Sequence, residues 1–439
     1  MPQSSKSQSI PVLGCIADDV TGATDLATNL VHGGARVVQV LGVPTPEILS
    51  QCNGAEVVVV ALKSRSIAAD EAISQTLQAL RQLQELGIER FYFKYCSTFD
   101  STDRGNIGPV AEALMQELQV NQTIFCPAFP PAGRTVYQGH LFVGSQLLNE
   151  SGMENHPLNP MTDANLIRVL SRQSSQNVGL LSHDTLSKCR GGNIQPISQC
   201  LERFADEGVS LIVVDACDEG ELNLLASACC TLPLITGGSG LARFLPDAYR
   251  AQQWLKSVPW VPKITPPEGR SLILAGSCSN ATNQQVEWMK TRSESWAIDV
   301  EAILAESGPE MERIVRWAQS SNADRPTLIY STAPPDLVQG LQRRFGAETV
   351  AQSIENFLGL LARTLVNELG YRKLVLAGGE TSGAIVRSLG IRLLKIGPEI
   401  CAGVPWTETM GSSRRLALAL KSGNFGAEDF FQKSLEMLA

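Results

Sequence analysis

The stretch AEVVVVAL sets four valines in succession at Val57–Val60. β-branched side chains favour extended backbone, and an unbroken apolar run offers no polar face to water. Such a strand is buried on both sides, as in a parallel sheet covered by crossover helices. VLGCIA, RVVQVLG, RFYFKY, QTIFCPA, VSLIVVDA and LPLITGG follow the same rule. Between such runs lie segments of helical period. In ADEAISQTLQALRQLQELG, Ile73, Leu77, Leu80, Leu83 and Leu86 recur every three or four residues. This alternation predicts the α/β class.

The alternation breaks once, at WLKSVPWVPKITPPEG, Trp254 to Gly269, which carries four prolines and little periodicity. A second series starts at SLILAGSCS and runs through PTLIYST, KLVLAGGETSGAI and IRLLKIG. The expected organisation is a flexible N-terminus over 1–10, an α/β domain over 11–250, a Pro-rich linker over 251–269 and a second α/β domain over 270–439. Both sheets are expected to be mostly parallel, with an active-site cleft between the domains. Ligands of open α/β sheets sit at the carboxyl ends of the strands.

Composition narrows the partners. Of 439 residues, 44% are hydrophobic and 18% charged, as in an ordinary globular chain rather than a disordered one. The net charge of -8 argues against nucleic acid and anionic membranes as partners. No apolar run reaches the length of a membrane span, and MPQSSKSQSI lacks the apolar core of a signal peptide. The eleven cysteines include no C-x-x-C pair and no zinc-like Cys/His spacing, so they read as core thiols in a reducing cytoplasm.

Polar residues gather just after the apolar runs. GCIADDVTGATD puts Asp18 and Asp19 at a strand end, followed by Thr21 and Gly22. Two adjacent carboxylates cost electrostatic free energy unless a cation or a proton is shared between them. Asp19 also has the position of a helix N-cap. LKSRS adds Lys63 and Arg65, FKYCSTFDSTDRGNIG adds Lys94, Ser97, Thr98, Asp100 and Arg104, and PAFPPAGRTVYQGHLFV adds Arg134 and His140. Arginine and lysine among hydroxyls suit a carboxylate-bearing polyol. The second domain has glycine turns in LAGSCS, AGGETSGA and KSGNFG. There, close backbone approach and a helix N-terminus favour an anion, with neither a Walker A loop nor a GxGxxG fingerprint.

Taken in order, ADDVTGATDLA, STFDSTDRGNIG, PAFPPAGRTVYQGHLFV, AGGETSGA, IGPEICAGVPW and LALKSGNFG resemble the four-carbon acid sugar kinases from about Gly14 to Phe431. The form of the second and third is most similar to the 3-oxo-tetronate kinase branch. The resemblance implies phosphorylation of a terminal 4-hydroxyl by ATP with Mg²⁺. It also implies a sugar-acid-binding N-terminal domain and a nucleotide-binding C-terminal one. Carried onto this chain, the nucleotide contacts fall at Ser277, Gly378, Gly379, Glu380, Thr381 and Gly423.

The expected catalytic residues are then Asp18, Asp19 and Lys94. Thr21, Gly22, Arg65, Ser97, Thr98, Asp100, Arg134 and His140 are expected at the substrate; no metal ligand is assigned. One aspartate accepts or orients the hydroxyl proton, while Lys94, Arg65 or Arg134 neutralises the substrate carboxylate or the developing phosphoryl charge. D-Threonate or D-erythronate is the alternative acceptor. An NAD(P)-dependent dehydrogenase and a non-catalytic sugar-acid-binding protein are the readings from other classes. The expected partner is a small sugar acid, with a homo-oligomer left open.

Overall fold

A computed structural model of the chain describes residues 10–155, 159–412 and 414–438. All of the expected flexible N-terminus except Ile10 lies outside the described residues. The chain divides into two compact units, up to Val261 and from Pro262 onward.

The first unit contains strands β1 (Leu13–Ala17), β2 (Val37–Leu41), β3 (Val57–Ala61), β4 (Phe91–Lys94), β5 (Thr123–Cys126), β6 (Arg134–Tyr137), β7 (His140–Val143), β8 (Gln146–Leu147), β9 (Val178–Leu181), β10 (Leu211–Val214) and β11 (Leu234–Gly237). Its main sheet has the order β2-β3-β1-β4-β11-β5-β10-β9 among the described residues, with every pairing parallel. Val57–Val60 occupy β3, flanked on both sides, with no exposure to solvent. Burying each such side chain stabilises the fold by about 1.5–3 kcal/mol.

The connection from β1 runs through the helix Val20–His32 toward β2. The connection from β4 runs through the helix Ile107–Leu118 toward β5, on the other side. β1 and β4 are neighbours, so their loops leave in opposite directions and open a crevice at their carboxyl ends. This is the topological switch point at which open α/β sheets take ligands.

The second unit contains β12 (Arg270–Ala275), β13 (Glu294–Ala297), β14 (Thr327–Tyr330), β15 (Tyr371–Ala377), β16 (Leu393–Cys401), β17 (Val404–Thr409) and β18 (Ala417–Lys421). The order is β13-β14-β12-β15-β18-β17-β16. From β13 to β18 the pairings are parallel, while β18-β17-β16 are antiparallel. A second switch point falls between β12 and β15, whose following connections lead to opposite edges of the sheet.

Two segments depart from the simple alternation. GRTVYQGHLFV folds back as the β6–β7 hairpin of a small antiparallel sheet with β8. Gln138 and Gly139 both take positive φ, 50° and 71°, the left-handed pair of a two-residue hairpin turn. IGPEICAGVPW folds into the β16–β17 hairpin, with Gly403 at φ 76°.

Candidate active site

Asp18 and Asp19 follow β1, Arg65 follows β3 and Lys94 ends β4, so neighbouring strands deliver all four side chains to one switch point. Arg65 forks onto Asp18, with Nε 2.8 Å from Oδ2 and one terminal nitrogen 2.8 Å from Oδ1. That same nitrogen donates to Asp19 Oδ1 at 2.6 Å. Asp19 caps the helix Val20–His32, accepting from Gly22 N at 3.1 Å and from the Thr21 hydroxyl at 2.7 Å. The paired charge is therefore met by one shared guanidinium and a helix start.

The two carboxylates are not equivalent. Asp18 has 8% side-chain exposure against 25% for Asp19. Burial pushes the Asp18 carboxyl up, against the pull of Arg65. Burial also works to raise Asp19, but Arg65, Lys94, the Thr21 hydroxyl and the Gly22 amide outweigh it and hold that carboxyl well below its usual range. Arg65 is driven the other way: burial works against its charge, and the two aspartates overcome it.

Lys94 is 3% exposed. Among the described residues its ammonium makes no hydrogen bond and no ion pair within 4.0 Å, although its charge acts on both aspartates. A Cβ on Gly22 would fall 2.6 Å from Lys94 Nζ and 2.1 Å from Asp19 Oδ1. Only glycine lets the ammonium approach the helix start this closely. A desolvated cation without a bound partner is costly, and an anionic ligand offsets that cost.

Asp100 joins the group, with Oδ2 3.8 Å from Arg65. Thr98 donates its hydroxyl to Asp100 at 2.6 Å and contacts Cys96 Sγ at 2.9 Å. Burial, then Asp100, raises the Cys96 thiol to about 11, so the chain of donors runs from Cys96 S–H through Thr98 to Asp100. Phe99 between them is fully buried at φ 50°, a strained conformation for a bulky residue. Ser97 is half-buried in the same loop. Asn106, which the sequence reading passed over, donates to the carbonyls of Ser64 and Ile67 at 2.7 and 3.0 Å and so clamps the loop carrying Arg65.

Arg134 and His140 have other bonding partners. Both sit on the β6–β7 hairpin, and among the described residues neither bonds to Asp18, Asp19, Arg65 or Lys94. Arg134 donates to the Ala132 carbonyl, and His140 contacts Gln138 O at 2.8 Å and the Asn165 amide at 3.2 Å. The hairpin turn is held by Asp215, fully buried after β10, which accepts from the amides of Gln138, Gly139 and His183 at 2.8–2.9 Å. No local motif singled out Asp215, because its partners lie far away in sequence.

In the second unit the three glycine turns converge at the ends of β12, β15 and β18. A Cβ on Gly276 would lie 2.2 Å from Thr381 Oγ1, one on Gly378 2.9 Å from the same atom, and one on Gly423 2.4 Å from Ser277 Oγ. Gly378 takes φ 126°. The helix Gly379–Ser388 begins its ladder with Ser382 N to Gly378 O at 2.8 Å. The first-turn amides of Gly379 and Thr381 precede that ladder and face an anion favourably. Glu380 is exposed on the same turn.

Lys421 closes this cradle from beneath and was not singled out from the sequence. It is fully buried, and its ammonium donates to Gly423 O at 2.8 Å, Ser422 O at 3.0 Å and Thr282 Oγ1 at 3.1 Å. Ser279 and Thr282 hydroxyls donate to the same Gly423 carbonyl at 2.7 and 2.9 Å. Burial lowers the Lys421 amine to about 8. The available signal was a lysine closing the apolar run LALALK.

Residues 13–245 match the family described as Sugar-binding N-terminal domain, and residues 272–431 match Nucleotide-binding C-terminal domain. The chain is 49% identical over 433 residues to a 3-oxo-tetronate kinase of Burkholderia multivorans, covering 98% of each. It is 48% identical over 432 residues to one of Pseudomonas fluorescens, covering 98% of this chain and 97% of that relative. A crystal structure from Salmonella typhimurium LT2 superposes with a TM-score of 0.87 at 41% identity, over 97% of this chain and 99% of that one. Among the described residues, no helix is long and apolar enough to cross a membrane.

Proposed function

The chain belongs to the four-carbon acid sugar kinase family and is an ATP-dependent sugar-acid kinase; from that premise we propose that its acceptor is 3-oxo-tetronate, phosphorylated on the 4-hydroxyl. The observation that carries the substrate is the name of the relatives at up to 49% identity over nearly the whole chain. The observation that carries the chemistry is the buried, unbonded ammonium of Lys94 beside the Asp18–Arg65–Asp19 group.

Lys94 holds the negative charge of the substrate carboxylate or of the phosphoryl group in transfer. Asp19, ionised and partly exposed, accepts a hydrogen bond from the 4-hydroxyl and orients it. The transition state of phosphoryl transfer is largely dissociative, so orientation matters more than base strength. That suits a carboxylate held well below its usual range. Asp18 and Arg65 act as the frame. The guanidinium is bonded to both aspartates, so on this reading Arg65 positions them. Thr98 and Asp100 suit the substrate hydroxyls.

The triphosphate is held by the amides at Gly378, Gly379 and Thr381, with Ser277 and Gly423 closing the turn. A carboxylate repels phosphate, so Glu380 contributes through the nucleotide hydroxyls. Mg²⁺ prefers hard oxygen ligands and keeps several waters. In the first unit the Asp18 and Asp19 oxygens are already held by Arg65, Thr21 and Gly22 N, so they do not fit the ion as a donor set, and no protein ligand is assigned to it. When bound, the ion neutralises phosphate charge.

An ADP-release assay over a panel of four-carbon acids tests the substrate. The expected result is the highest kcat/KM for 3-oxo-tetronate. A higher value for D-threonate or D-erythronate would move the chain to another branch.

A further inference from the structure

We propose that His183, Cys217 and Glu221 of the first unit form a binding site for a divalent transition-metal ion of the zinc class. His183 Nδ1, Cys217 Sγ and a Glu221 carboxylate oxygen lie within 4.8 Å of one another. Two ligands of a tetrahedral zinc stand roughly 3.3–3.8 Å apart, inside that limit. His183 Nδ1 is sealed from solvent and pairs with Glu221 Oε1 at 2.8 Å. An ion entering between them would replace that contact and widen it.

The surroundings hold the three in place. Glu221 Oε2 accepts from Cys217 N at 2.6 Å, which leaves Oε1 toward His183. Asp218 caps the helix Glu219–Cys229 by accepting from Glu221 N at 2.8 Å, fixing the glutamate backbone. Asp215 does the same for His183 through its amide. Such outer partners orient metal ligands. The chain spacing of these residues matches no zinc motif, which is why the sequence did not reveal them.

Binding forms the sulfur–metal bond and releases the thiol proton to solvent. One sulfur, one imidazole nitrogen and one carboxylate favour Zn²⁺ or Co²⁺ over the hard Mg²⁺. The Tyr137 ring packs on His183 at 5.4 Å, and Cys217 Sγ lies 3.6 Å from Val136 O. The ion would therefore fasten the β6–β7 hairpin, with Arg134 and His140, to the end of the main sheet.

The test uses the full chain, stripped with chelator, desalted under reducing conditions and titrated with Co²⁺. A sulfur-to-cobalt charge-transfer band should grow to one equivalent, with release of one proton. Zn²⁺ should displace it and Mg²⁺ should not. Cys217→Ser should abolish the band, and His183→Gln should weaken Co²⁺ binding at least roughly tenfold. Thermal unfolding of the metal-free variants, matched to wild type, separates ligation from misfolding. No band, or the same band in Cys217→Ser, would overturn the proposal. None of these readings involves phosphoryl transfer, so their failure leaves the kinase reading intact.

Discussion

The two switch points are built from different materials. At β1/β4 the polar groups are charged side chains: Asp18, Asp19, Asp100, Arg65 and Lys94. At β12/β15 they are backbone amides, hydroxyls and glycines, with Lys421 buried under the turn rather than facing a ligand. A small sugar acid differs from its isomers by hydroxyls and one carboxylate, and side chains read such differences. A triphosphate is long and uniformly charged, and amides fixed by glycine turns can follow it. Under the proposed function, selectivity for the acid is expected from the first unit, and tolerance of substitution is expected to differ between the two.

The contrast can be broken at its strongest point first. Arg65→Met leaves two adjacent carboxylates, Asp18 buried and Asp19 partly exposed, without their cation. The expected result is a loss of about 3 kcal/mol of stability in urea unfolding, together with a fall of roughly a thousandfold or more in kcat/KM. Near-normal turnover would show that the fork is dispensable. Lys94→Met should lower kcat/KM for the sugar acid by roughly a hundredfold, with KM for ATP nearly unchanged; steady-state kinetics with each substrate varied decides this. An equal rise in both KM values would erase the division of labour.

Gly423→Ala probes the other region. The new methyl would meet Ser277 Oγ at 2.4 Å, so KM for ATP should rise about tenfold while KM for the acid stays level. The smallest effect concerns pH. Burial lowers Lys421 to about 8, whereas an unfolded lysine titrates at about 10.4. Between those values the unfolded state binds more protons, so this group adds stability as pH rises through the window. Lys421→Met should flatten that rise in urea unfolding measured from pH 7.5 to 10. Parallel pH profiles would mean that burial does not lower the Lys421 amine.

What the sequence disclosed was local. Val57–Val60 marked a doubly buried strand, and Gly378 with Gly379 marked a strand-to-helix turn, because each depends on neighbours in the chain. Lateral strand order does not. Asp18 and Arg65 are 47 positions apart and meet because β1 and β3 pair. That pairing sets the Arg65 guanidinium on the two acids, a contact no local pattern in the chain shows. Asp215 was missed for the same reason: its partners Gln138, Gly139 and His183 are brought to it only by the tertiary fold. Arg134 and His140 begin the two strands of a hairpin that Gln138 and Gly139 turn back, a fold the strand-and-helix alternation did not show.

The most direct measurement is a crystal structure of the full chain with a non-hydrolysable ATP analogue and the four-carbon acid bound together. The account predicts an acid oxygen bonded to Lys94 Nζ, with the 4-hydroxyl on Asp19 and the phosphates on the amides of Gly378 to Thr381. Phosphates bonded to Lys94 in the absence of the acid, or the acid bound away from Asp19, would contradict it.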